Sequence, residues 1–173
     1  MNRVLVAMLA TLVLSAVRRA LPVVLGLSSL PLTAGAVVVA YAALTWPPIE
    51  AVVAAALCGL IVDALSGMPM GLSSFSLVVT LLVMRLSLRF FTRSRGPAAS
   101  AFAGVFGMLQ AFIASVLLTA FGSGYSVDVA TLVLVGLLDV LLAAATFPAL
   151  HALLVSLGLE ERGTSLRERL ATR

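Results

Sequence analysis

Six apolar stretches, each roughly 17 to 29 residues long, decide what this chain can fold into, because a helix needs about 20 residues to cross about 30 Å of hydrocarbon. Hydrophobic residues make up 62% of the 173 and charged ones only 10%, with a mean hydropathy of +1.19. A soluble globule carries about 25% charged residues. The expectation is therefore an all-α membrane protein, a six-transmembrane-helix bundle over residues 1–158 with a short charged cytoplasmic tail over 159–173. This leaves no room for a soluble domain of any size, so function must lie in the helices, their loops or a partner.

The spans are read in order as follows. Span one covers residues 3–21 and serves as a retained anchor, with Arg18 and Arg19 reaching its far interface and a connection over 22–30. Span two covers 31–46, with Pro31 in its first turn, Tyr41 and Trp46 as interfacial aromatics, and Pro47-Pro48 as its stop. Span three covers 49–65, with Glu50 in its first turn at the positive end of the helix dipole. Span four covers 69–91 and ends in Arg85, Arg89, Arg93 and Arg95, which with Gly96-Pro97 mark a turn on the cytoplasmic side. Span five covers 98–121, ended by Gly122-Ser123-Gly124, and span six covers 129–157, with Asp128 as a candidate cap.

Charge sets the expected orientation. With both termini cytoplasmic, nine of the eleven arginines fall inside and only Arg18 and Arg19 outside, as the positive-inside rule requires. The arginines flank apolar runs, so the basic balance speaks of topology and lipid headgroups and not of nucleic acid. The sequence contains no lysine, which excludes a phosphate-binding loop of the usual kind. Cys58 has no possible disulfide partner within the chain, and His151 has no cysteine or histidine at ligand spacing, so neither a metal nor a cofactor is expected.

The most distinctive stretch is residues 59–71, GLIVDALSGMPMG, in which Gly59, Asp63, Gly67 and Gly71 recur at every fourth position. Together with Ala51 and Ala55 they give span three one narrow face without bulk, which another helix can approach closely. Gly59→Leu is expected to force that neighbour outward, and Gly59→Ala to be mild. Span five repeats the pattern as Ala99, Ala103, Gly107, Ala111, Ser115 and Thr119.

Asp63 supports two readings. In the structural one, Gly67 ends span three in a left-handed cap, Pro69 opens span four, and the carboxylate turns back to accept N–H bonds there. In the functional one, Asp63 binds an ion, a substrate or a partner, as intramembrane acids often do. Asp139 lies deeper, about 15 Å into span six, with Gln110, Thr119, Arg18 and Arg19 as candidate partners. A pair of membrane aspartates invites comparison with intramembrane aspartyl proteases, but Asp63 follows Gly-Leu-Ile-Val and not their Gly-x-Gly, and no catalytic residue is assigned.

Through Pro31, Tyr41, Pro47 sixteen residues before Asp63, and above all GLIVDALSGMPMGL over residues 59–72, the chain resembles the bacterial rod shape-determining protein MreD family. The resemblance implies a non-enzymatic inner-membrane component of the cell-elongation machinery. Its partners there would be the bitopic protein MreC, the MreB filament, RodA and a class B penicillin-binding protein. Ala55, Gly59, Asp63, Gly67, Pro69, Gly71 and Asp139 are the residues expected to build the fold or meet a partner. The alternative is a substrate-binding membrane subunit of a small-molecule (vitamin) transporter, which needs a cavity lined by several polar groups.

Overall fold

A computed structural model of the chain describes residues 2–25, 34–66, 70–88, 97–120 and 128–159. These form six α-helices: α1 (Asn2–Leu25), α2 (Ala34–Thr45), α3 (Pro48–Ser66), α4 (Leu72–Leu88), α5 (Pro97–Ala120) and α6 (Val129–Ser156). No strand occurs among the described residues. Three helices are long and apolar enough to cross a membrane, namely α3, residues Ala99–Ala120 of α5, and α6. The apolar parts of the others, Asn2–Val17, Gly35–Thr45 and Leu72–Ser87, are shorter.

The arrangement is a ring around a centre. Helix α2 packs against all five others, while the outer helices touch in the order α1, α3, α4, α5, α6 and back to α1. Along α2, Val37, Val39, Ala40 and Ala42 are each 0% exposed, so this helix has no lipid-facing side. At about 18 Å it is also the shortest. Apolar exposure is instead on the outer faces, as at Leu9 in α1, Phe112 in α5 and Leu141 in α6, where lipid is the natural solvent.

Several boundaries differ from the sequence reading. Helix α1 continues through Pro22 to Leu25, where a connection was expected. A proline inside a membrane helix is tolerated because the carbonyl it frees can be satisfied locally, and Pro148 inside α6 is a second case. Tyr41 and Trp46 are not interfacial anchors: they are 5% and 6% exposed, enclosed with the rest of α2. Asp128 occupies the N-cap position of α6, but its side chain makes no capping bond. Pro31, Gly67, Pro69, Arg89, Arg93, Arg95, Gly122 and the tail from residue 160 lie outside the described residues.

Candidate functional site

The α3–α4 joint is built around Gly71. Its carbonyl accepts the first helical bond of α4, from Phe75 N–H at 2.8 Å, which makes it the N-cap residue. Its φ of +96° is a backbone conformation that favours glycine, and glycine has no side chain to cap the exposed N–H groups behind it. Asp63 supplies the missing cap from the preceding helix. Its Oδ2 accepts the Gly71 N–H at 2.8 Å, and its Oδ1 accepts the Ser73 N–H at 2.9 Å. The carboxylate is 1% exposed, and the positive end of the α4 dipole compensates its charge. These are the bonds of the structural reading of Asp63.

One helical turn back, Gly59 lets the backbones meet. A Cβ built there would lie 2.5 Å from Ser74 N and 2.8 Å from Ser73 C, distances no real methyl group adopts. This corrects the expectation that Gly59→Ala is mild, because the obstacle is backbone and cannot rotate away. The Ser74 hydroxyl adds a bond to Ala56 O at 2.6 Å, and Ala51 and Ala55 on α3 are fully buried.

The second acid has a different seat. Asp139 on α6 is 0% exposed, and its carboxylate lies over Gly107 of α5, so that a Cβ at Gly107 would come within 2.9 Å of Asp139 Cγ. The same two helices cross closely at Gly104 and Gly136: a Cβ at Gly104 would lie 2.7 Å from Gly136 O. Gln110, a candidate partner for Asp139, donates instead to Ser76 Oγ at 3.3 Å. The side chains of Arg18 and Arg19 lie outside the described ones. Helices α3 and α6 do not touch, and Asp63 is spent on backbone N–H groups, so the two acids do not form the close pair that a shared proton requires.

The small-residue face of α3 is therefore consumed inside the bundle, and that of α5 only in part: Ala103 and Gly107 are buried, whereas Thr119 at its far end is exposed.

Sequence reasoning missed a polar stripe on α4. Ser73, Ser76 and Thr80, at spacings of three and four, are all buried, and Thr80 Oγ1 donates to Ser76 O at 2.7 Å. Their register on one face of α4, at i, i+3 and i+7, was the signal, and Gln110 of α5 meets that face at Ser76. Gln110 Oε1 is buried without a hydrogen-bond partner, and Thr11 Oγ1 on α1 has the thiol of Cys58 beside it. No group of three or more potential metal ligands occurs among the described residues.

Arginines tie the opposite end of the α3–α4 pair. Arg85 on α4 donates through Nη2 to Trp46 O at 2.7 Å, satisfying a carbonyl at the C-terminal end of α2, where a cation also meets the negative end of the dipole. Arg3 donates to Leu159 O and lies 3.9 Å from Glu50. His151 Nδ1 is 3.4 Å from the Tyr41 hydroxyl, and Tyr41 meets Phe147 edge-on at 5.4 Å. Compared with known proteins, the chain matches no family model, no curated protein and no solved structure.

Proposed function

We propose that this chain is a non-enzymatic, multi-pass scaffold of the bacterial inner membrane, acting in the elongation machinery that builds peptidoglycan, in the manner of the MreD family it resembles. One observation carries the reading: Asp63, in the stretch on which the resemblance rests, is committed to the backbone N–H groups of Gly71 and Ser73 at the start of α4. A carboxylate so engaged serves architecture, and a rigid hairpin suits a protein that presents surfaces to others. Both termini lie in the cytoplasm in this reading. The bitopic partner MreC would bind on the outer faces or loops, since the tight face of α3 is already filled. MreB, RodA and a class B penicillin-binding protein are the further partners the resemblance implies.

A second reading rests on the buried Ser73, Ser76, Thr80 and Gln110, polar groups that a membrane subunit for a small-molecule transporter could use. One purification separates the two. The tagged chain, solubilised gently together with MreC expressed from the same host, should retain MreC through gel filtration. Loss of MreC with a vitamin-sized molecule retained and identified by mass spectrometry would replace the scaffold reading with the transport one.

A further inference from the structure

The outer ring is unevenly closed. Of the contacts between neighbouring outer helices, that between α1 and α6 is the slightest, whereas α5 and α6 share an extensive face. Arg3 bonds this seam at one end. Its Nε donates to Leu159 O at 3.1 Å and its Nη2 to the same oxygen at 2.5 Å, while its Nη1 lies 3.9 Å from Glu50 Oε2 in the first turn of α3. One guanidinium thus touches the first, third and last helices.

The carbonyl it grips is placed by a built turn. Gly158, at φ +67°, ends α6 in the left-handed conformation, and Leu159 N–H bonds back to Leu154 O at 2.9 Å, the pattern of a Schellman cap. That cap turns Leu159 back against the core, where its side chain packs. Arg3, Ala7 and Thr11 follow at i, i+4 and i+8 on α1, so the face that carries the arginine runs on for about 12 Å to Thr11. Thr11 lies beside the thiol of Cys58 on α3, which is 0% exposed.

We infer that Arg3 is a latch, which holds α1 against the capped end of α6 and, together with the packing of α1 on α2 and α3, keeps the first helix closed on the bundle. When the latch is released, α1 lifts from the seam, while α4, α5 and α6 stay packed. The residues that follow Leu159 form the charged tail, so the latch joins the root of that tail to the helix that opens.

Cys58, the sole cysteine, reports on this directly. The test is its rate of alkylation by a fluorogenic maleimide in purified, detergent-solubilised full-length protein, below the melting temperature. Arg3→Ala should speed labelling about tenfold or more, the factor that losing hydrogen bonds to a charged group implies. Gly158→Ala, which strains the left-handed cap, should also speed it. In a Cys58→Ser background, a thiol placed by Ala103→Cys on α5, which does not touch α1, should stay protected when Arg3→Ala is added. Labelling of Cys58 at the wild-type rate in either Arg3→Ala or Gly158→Ala overturns the latch. So does equal exposure of both thiols, which would mean general unfolding.

Discussion

The carboxylate of Asp139 fills the space that a side chain at Gly107 would need. The two residues sit on neighbouring helices, so the depth of a buried acid and the absence of a Cβ are one feature. Gly107→Ala should therefore lower stability by about 1 to 3 kcal/mol, the usual cost of overpacking. In a chain of this size that is a fall of about 2 to 4 °C in melting temperature for each kcal/mol. Adding Asp139→Ala vacates the seat, so the double variant should be less harmed than the two single effects together. Additive losses in the melting curves would show that the pair does not compete for one space.

Gly59→Ala should be clearly destabilising and Gly59→Leu worse. Their ordinary overpacking cost of about 1 to 3 kcal/mol becomes a lower bound, because the neighbour at Gly59 is the backbone of Ser73 and Ser74. Melting temperature and folded yield in detergent measure this. A Gly59→Ala protein as stable as the wild type would mean that α3 and α4 do not cross at this point.

Asp63 should show graded loss. Asp63→Ala removes the acceptor for both Gly71 N–H and Ser73 N–H, at about 1 to 3 kcal/mol for each buried donor left unpaired. Asp63→Asn keeps one acceptor oxygen and should lie between alanine and wild type in stability and, on the proposed function, in rescue of cell shape. Equal loss of rescue by both variants, with stability unchanged, would make the charge a contact for a cation or a partner's arginine and not a cap.

Orientation is checked by reporter fusions. Fusions after Arg95 and after Arg173 should read cytoplasmic, and a fusion within residues 122–128 periplasmic. A periplasmic signal after Arg95 would remove the six-span topology.

Helix positions were legible because prolines and glycines bound the apolar runs: α3 and α6 end within about a residue of their expected limits. The cap at Asp63 was one of two readings the sequence left open, and that reading opened the next helix at Pro69, whereas the N-cap of α4 is Gly71. The seat of Asp139 was not legible, because the register between α5 and α6 is fixed by packing at Gly104 and Gly136 and leaves no trace in either helix alone. Tyr41 and Trp46 were misread for a related reason. An aromatic at a helix end signals an interface only if that helix has a lipid-facing side, and whether α2 has one depends on five other helices. Arg85, expected to mark only the cytoplasmic side, also holds the Trp46 carbonyl, a bond that joins residues 39 apart in the chain.

The enclosure of α2 has a consequence for how the protein is made. It is made before α6, yet its Tyr41 side is covered by Phe147 and His151 of that helix. During synthesis it must therefore wait, with part of its surface against lipid or the insertion machinery, until α6 has emerged. Nascent chains stopped before α6 cannot reach the native packing around Tyr41, so the wrapping of the central helix is completed by the last of the six described helices and not by its neighbours in the chain.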